Sequence, residues 1–402
     1  MSKRKWWQPP QRFEDRQNGR KISWLELFFD LVYVACIGQI TNHIATHMDG
    51  ENIGYAILFF VFIYWAWING TQYYELHGND TVRTRWLVFI QMLAIGAVAI
   101  SIPAAFRDNS FPFTVSFLVI QGIIIYLYAS ISFYDRSHIK LSSPFLLCYS
   151  VAFVLLIISV FCPHPAALPL HLLAIMINLS APVLSGRYLN KTLLLRGQRF
   201  SASPALVERF GQFTIIVLTE SIVSTVSGFS LVNTNSLLEW SVFCLCMSIA
   251  FLLWSIYFDM TNEQELKVGY RYYQFFVFVH LVLLGALGVF GASLKNLVGH
   301  FEAPVTPVLN RVICISLAIF LAAMCAIGRL IAGEDKQTRN YLRVVIRWNI
   351  VVAVLLVAVS FFARGWSAFG LLLTVFGLLV IPVVVGIVTW LKHENYPDGD
   401  GE

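Results

Sequence analysis

Charged residues are scarce in this sequence. Asp, Glu, Lys and Arg make up 13% of its 402 residues, whereas hydrophobic residues make up 57%. A soluble domain needs a polar, charged surface, and no segment of the chain is long and polar enough to supply one. Apolar runs of about 20 residues, the length of a membrane-crossing helix, recur instead from end to end. The composition therefore predicts an all-α polytopic integral membrane protein.

Cysteines and enzyme motifs are also sparse. The seven cysteines are scattered through apolar runs without a CxxC pair, so they do not indicate a disulfide framework or a zinc centre. HExxH, GxSxG, a Walker-type phosphate loop, GxGxxG and an EF-hand loop are all absent. We therefore expect that the protein is not an enzyme and that it binds no metal and no other cofactor. Loops facing anionic lipid explain the net charge of +5, so nucleic acid is not expected as a partner.

Twelve apolar stretches have the length of a membrane span. They are separated by polar residues or by Pro and Gly, and each end is defined to within about 2 to 4 residues. The predicted spans are 22–44, 53–74, 86–106, 111–134, 143–162, 166–188, 207–229, 236–258, 271–293, 308–330, 342–362 and 366–390.

Lys and Arg residues are unevenly divided between the two sides of the predicted membrane. If the N-terminus is cytoplasmic, the inner tail, inner loops and their flanks hold 23 of the 28, including five from Arg187 to Arg209. Such an excess is typical of cytoplasmic loops. One span more or fewer would exchange the sides of every later loop and remove the bias. The distribution thus favours twelve spans with both termini in the cytoplasm.

The sequence contains a coarse internal repeat. Glu26 and Asp30 lie near the start of span one, and Glu208 lies near the start of span seven. Trp65 and Trp254 lie near the ends of spans two and eight, each shortly before an acidic residue. Six spans per half would give both halves the same orientation, which predicts two parallel six-helix repeats. The alternative is that apolar helices with aromatic ends merely look alike.

The predicted organisation follows from the spans and this repeat. A basic cytoplasmic tail (1–21) precedes a first six-helix membrane half (22–190). A cytoplasmic interfacial linker (191–205) leads to a second six-helix half (206–391) and a cytoplasmic tail (392–402).

Ionisable residues inside the spans are the candidates for a functional site. A charged side chain in hydrocarbon costs roughly 2.5 to 3.5 kcal/mol on insertion scales, so it needs a partner, water or a function. Glu26 and Asp30 share one face of a helix, and Glu220 lies about 18 Å beyond Glu208 along another. The predicted ion or substrate site comprises Glu26, Asp30, Glu220 and Arg347, with Gln39, Glu208, Ser221, Asp259 and His280 as secondary candidates.

These candidates also have a structural interpretation. Glu26 and Asp30 would be structural if they pair with Arg347, or with Arg85 and Arg271. His280 is either a proton relay or a neutral, packed imidazole. A polar cavity touching the acids would favour transport, whereas tight pairing without a cavity would favour a structural role.

Several segments resemble a known family. They are ELFFDLVYV in span one, the run from Glu208 to Ser221, the stretch from Trp254 to Asp259, and His280 with the leucine after it. In this order they are similar to the bacterial low-temperature-requirement A family. The resemblance implies a multi-pass protein of the bacterial cytoplasmic membrane. The family's name comes from growth at low temperature and defines no reaction.

Two functions are consistent with these observations. The leading hypothesis is a transporter or ion pathway in which intramembrane carboxylates bind a small ion or solute. The alternative is a non-transporting membrane scaffold or cold-response factor whose buried charges fix the register of the helices. The expected partners are the lipid bilayer and, for the transporter, the small ion or solute. The sequence does not fix the oligomeric state.

Overall fold

The computed structural model describes residues 22–78, 81–134, 139–195, 200–230, 236–262, 264–333, 336–362 and 365–395. Within these ranges the chain forms twelve α-helices and no β-strand. The helices are α1 (Trp24–Thr46), α2 (Gly50–His77), α3 (Val82–Ala105), α4 (Phe111–Tyr134), α5 (Ile139–Val160), α6 (His164–Leu195), α7 (Pro204–Phe229), α8 (Leu237–Thr261), α9 (Tyr270–Gly299), α10 (Pro307–Leu330), α11 (Lys336–Phe362) and α12 (Ala368–Asn395).

Every one of these helices contains a segment long and apolar enough to cross a membrane. The prediction of a multi-pass helical membrane protein with twelve spans is therefore confirmed. The ends of the helices differ from the predicted ends of the spans. Helix α9 continues past residue 293 to Gly299 because Leu294, Leu297 and Val298 extend its buried face at helical spacing. Helix α6 continues to Leu195, into the segment predicted as a linker, while residues 196–199 of that segment lie outside the described ranges.

The described residues form two compact units. The first unit lies within Met1–Ile40, Glu51–Arg209 and Val268–Gln274, and the second within Thr41–Gly50, Phe210–Lys267 and Phe275–Glu402. Helices α1, α2, α7 and α9 each contribute residues to both, α2 only through Gly50 at its start. The predicted domain boundaries and the repeat stay predictions, and each unit is described by itself.

Buried amide side chains join helices within the first unit. The Tyr149 hydroxyl on α5 donates a hydrogen bond to the Asn69 side-chain oxygen on α2. Gln121 Nε2 on α4 donates to Asn178 Oδ1 on α6 over 3.0 Å. All four side chains are buried. Hydrogen bonds between polar side chains stabilise helix association where the surroundings are apolar.

The second unit is held by close helix contacts. Helix α11 packs between α10 and α12, and α12 also packs against α8. Asn310 Nδ2 on α10 donates to the carbonyl oxygens of Val359 and Ser360 near the end of α11, over 3.3 and 3.2 Å. Helices α7 and α9 approach closely at Gly228, where a Cβ atom would lie only 2.7 Å from Val298 Cγ1. Glycine is therefore required at that crossing.

Candidate functional site

Helix α7 carries a buried face that includes two ionisable residues. Its buried positions recur every three or four residues, the period of an amphipathic helix, and include Leu206, Arg209, Phe210, Phe213, Val217, Glu220 and Ser224. Glu208 falls between these positions and is exposed. The helical period thus buries Arg209 and Glu220 and leaves the secondary candidate Glu208 exposed on another face of α7.

Arg209 pairs with both acids of α1 in the first unit. Its Nη2 donates to Asp30 Oδ1 over 2.9 Å, and its Nε donates to Asp30 Oδ2 over 3.2 Å. Its Nη1 donates to Glu26 Oε1 over 3.3 Å. Asp30 has no exposed surface and Arg209 is 3% exposed. A two-pronged guanidinium–carboxylate contact fixes the orientation of both groups.

The remaining carboxylate oxygen sites in this cluster are also occupied. Trp67 on α2 donates its indole N–H to Asp30 Oδ1 over 2.8 Å. The Ser23 N–H and hydroxyl donate to Glu26 Oε2 over 2.9 and 3.0 Å, while the Glu26 N–H donates back to the Ser23 hydroxyl. This reciprocal pattern is a capping box at the start of α1. The cluster therefore connects α1, α2 and α7, and every carboxylate oxygen accepts at least one hydrogen bond.

Sequence reasoning missed Arg209 as the partner of these acids. It counted Arg209 with the inner basic residues and named Arg347, Arg85 and Arg271 as partners, all three of which are exposed in the structure. The signal for Arg209 was its position on the periodic face of α7, four residues before Phe213. Formally, two carboxylates and one guanidinium leave this cluster with a net charge of −1 when both acids are ionised.

Glu220 occupies a second polar cluster, in the second unit. The side chain is 5% exposed, and its Oε1 accepts a hydrogen bond from the Thr41 hydroxyl over 2.7 Å. Its Oε2 accepts none from the residues that the structure describes. Lys295 lies near this cluster, because its ammonium group donates to the side chain of Asn42, the neighbour of Thr41.

Two hydroxyl groups next to Glu220 lack hydrogen-bond partners. Ser221 and Ser224 are 1% and 0% exposed, and neither Oγ atom has a partner within the described ranges. Ser224 is four residues from Glu220, so both lie on one side of α7. Helix α9 is close here, since a Cβ atom on Gly291 would lie 3.1 Å from Ser221 Oγ. Buried polar atoms without partners are rare, and each either lowers the stability of the protein or binds water, an ion or a ligand.

His280 has both ring nitrogens occupied. Its Nδ1 lies 2.9 Å from the Phe276 carbonyl oxygen, which only accepts, so Nδ1 carries the hydrogen. Its Nε2 lies 3.0 Å from the Tyr257 hydroxyl, within hydrogen-bonding distance. The ring packs on Phe210 and Phe276 and has no exposed surface. His280 is therefore a packed imidazole with both ring nitrogens in hydrogen-bonding contact.

The other secondary candidates are less enclosed. Gln39 is half-buried and Asp259 is exposed, with Asp259 Oδ2 accepting a hydrogen bond from Ser255 Oγ over 2.6 Å. Within the described ranges, no group of three or more His, Cys, Asp or Glu residues is arranged to hold a metal ion.

The family model described as "Bacterial low temperature requirement A protein (LtrA)" matches residues 21–388. The chain belongs to the LtrA family. This LtrA protein is 27% identical over 295 residues to "Uncharacterized protein RA0937" of Rhizobium meliloti (strain 1021). That alignment covers 66% of this chain and 67% of the relative. No solved structure matches the LtrA chain significantly.

Proposed function

We propose that this LtrA protein moves a small ion or solute across the bacterial cytoplasmic membrane, and that the Glu220 carboxylate binds the cargo. The observation that supports this most directly is the unused hydrogen-bonding capacity around Glu220. Among the residues that the structure describes, one carboxylate oxygen of Glu220 and the hydroxyls of Ser221 and Ser224 have no hydrogen-bond partner within a membrane-spanning helix, where each unpaired group costs free energy. A small cation, a proton with water, or a polar solute would satisfy them.

The cluster of Glu26, Asp30 and Arg209 is assigned a different role. Its carboxylate oxygens are engaged by the guanidinium, an indole and a serine, so a cargo ion would have to break strong contacts to bind there. Breaking a buried pair is costly because it leaves a charge uncompensated. In our proposal this cluster holds α1, α2 and α7 in register while Glu220 exchanges its ligand.

Flux in proteoliposomes tests the role of Glu220. The purified full chain is reconstituted and assayed with a panel of protons, alkali cations, amines and small anions, comparing wild type with Glu220→Gln. Gln keeps the shape but removes the charge, so we expect flux of the transported species to fall by about tenfold or more. Glu208→Gln is the matched control, because Glu208 is an exposed acid on the same helix. Equal flux in wild type and Glu220→Gln would exclude this role.

A non-transporting scaffold is the second candidate. The saturated contacts around Arg209 favour it, because such pairing needs no cargo to be stable. If wild-type protein moves no member of the panel, while the same preparation is monodisperse and helical, the scaffold is the better assignment. In either case we propose that the protein is not an enzyme, given the lack of specific enzyme motifs.

Membrane location and orientation form part of the same proposal. The excess of Lys and Arg on one predicted side supports cytoplasmic N- and C-termini, and it persists when the buried Arg209 is left out. Reporter fusions to the C-terminus test the orientation. A reporter active only on the periplasmic side should stay inactive, and its activity would contradict the orientation.

We also propose that α1–α6 and α7–α12 are parallel six-helix repeats. Six membrane helices in each set and an acid near the start of both α1 and α7 support this plan. Superposition of the two sets tests it, because unrelated sets would not align helix by helix.

A further inference from the structure

A cleft of about 600 Å³ lies in the second unit, at the end of α8, the start of α11 and the end of α12. This volume is in the range of small-molecule binding sites, roughly 300 to 1,000 Å³. The polar and aromatic residues that line it are Asp259, Gln264, Gln337, Thr338, Tyr341 and Trp390. The Glu220 site proposed above shares none of them.

Asp259 gives the cleft its charge. Among the lining residues that the structure describes, it is the one with an acidic or basic side chain. Its Oδ2 accepts a hydrogen bond from Ser255, which orients the carboxylate, while Oδ1 accepts none from described residues. Asp259 is exposed, so its carboxylate is accessible to a ligand.

Two aromatic rings accompany this carboxylate. The Tyr341 hydroxyl lies 3.4 Å from the Asp259 carbonyl oxygen, which places the phenol ring beside the end of α8. Trp390 is 54% exposed and lines the cleft from α12. Aromatic faces attract cations, tryptophan most strongly. Met260, Leu342 and Ile387 add an apolar wall.

This combination selects one class of ligand. An anion would be repelled by Asp259, and a neutral polar molecule could donate a hydrogen bond to the carboxylate but would leave its charge uncompensated. An ammonium group satisfies both features, because it pairs with a carboxylate and is attracted to aromatic faces. We propose that this cleft binds the ammonium group of a small amine, either free in solution or on the head group of an ethanolamine lipid.

Binding of radiolabelled ethanolamine to the full chain tests the proposal. The protein is embedded in nanodiscs that lack ethanolamine lipids, and ethylene glycol serves as the uncharged competitor. We expect saturable binding that ethylene glycol does not displace. Wild-type protein without saturable binding would overturn the proposal.

Variants identify the groups responsible. Asp259→Asn should weaken binding by about tenfold or more, because the carboxylate pairs directly with the ammonium group. Glu265→Gln is the matched control, since Glu265 is an exposed acid just after the same helix that does not line the cleft. Equal loss, or no loss, in both variants would refute the site.

Trp390 provides a check that does not depend on Asp259→Asn folding. Trp390→Leu should weaken binding several-fold, whereas Trp390→Phe keeps an aromatic face and should retain most of it. If both Trp390 variants bind like wild type, the aromatic contact is refuted. Size-exclusion profiles of all variants confirm that they remain folded.

The lipid composition of the nanodiscs distinguishes a free amine from an ethanolamine lipid as the natural ligand. If an ethanolamine lipid occupies the cleft, adding it to the nanodiscs should raise the apparent Kd of free ethanolamine by competition. If the natural ligand is a free amine, adding the lipid should leave the Kd unchanged. Either result supports an ammonium site, provided that Asp259→Asn weakens it.

Discussion

Replacing Arg209 with methionine should be the most damaging single change in the cluster of Glu26, Asp30 and Arg209. Methionine keeps much of the length and apolar contact of the side chain but removes the guanidinium. Both carboxylates would lose their cation. Asp30 has no exposed surface, so water could not replace the lost contact. The formal charge of the cluster would change from −1 to −2 when both acids are ionised.

Substitutions of the three residues should lower the free energy of unfolding by different amounts. Arg209→Met should lower it most, by about 3 to 5 kcal/mol, because it breaks a buried ion pair. Asp30→Asn keeps an acceptor for Trp67 and leaves Arg209 paired with Glu26, so the loss is that of charged hydrogen bonds, about 1.5 to 3 kcal/mol. Glu26→Gln keeps the Asp30–Arg209 contact intact and should cost about 1 kcal/mol.

Reversible unfolding of the purified protein in mixed micelles measures these free energies. Arg271→Met is the matched control, because Arg271 is exposed near the start of α9, and it should change stability by about 0.5 kcal/mol or less. Adding Asp30→Leu to Arg209→Met should restore part of the lost stability, since the unpaired buried charge is then removed. The reasoning fails if Arg209→Met costs no more than Glu26→Gln, or if the double variant is no better than Arg209→Met.

Two further changes test the packing of the second unit. Gly228→Ala would place Cβ 2.7 Å from Val298 Cγ1 and should cost about 1 to 3 kcal/mol in the same unfolding assay. Gly288→Ala is its control, because apart from the backbone of its own helix and its chain neighbours no atom of the described residues lies within 4 Å of the new Cβ; a similar loss in both would contradict the clash. Asn349→Leu should stabilise the protein, because Asn349 is fully buried on α11 and neither amide atom has a partner within the described ranges. A lower thermal midpoint for Asn349→Leu would indicate that a bound water or ligand satisfies this amide.

The membrane spans were predictable because length and hydropathy determine them. A stretch of about 20 apolar residues must be helical in hydrocarbon, since only then are its backbone groups satisfied internally. The helix ends were less predictable, because a helix can continue beyond the apolar region. Helix α11, for example, begins at Lys336 although its apolar span was predicted to begin at residue 342. Polar residues of its first turns extend the helix without changing the number of spans.

The contact between Ser23 and Glu26 could also be predicted from the sequence. Ser23 and Glu26 have the spacing of a capping box, which depends only on neighbouring residues. The cation that pairs with these acids, Arg209, could not be predicted in this way. Arg209 is 179 residues from Asp30 along the chain, and several other arginines lie near the inner ends of predicted spans. Chain separation carries no information about which of them is folded against the acid.

The contact between Arg209 and Asp30 changes the interpretation of the two motif helices. The sequence pattern emphasised acids on both, with Glu26 and Asp30 on α1 and Glu208 on α7. In the structure Glu208 is exposed, and the neighbouring Arg209 contacts the acids of α1. The two motifs are therefore complementary in charge. A substitution that removes the acid at Glu208 should be tolerated, whereas one that removes the adjacent cation should not, because Arg209 compensates the buried charges of Glu26 and Asp30.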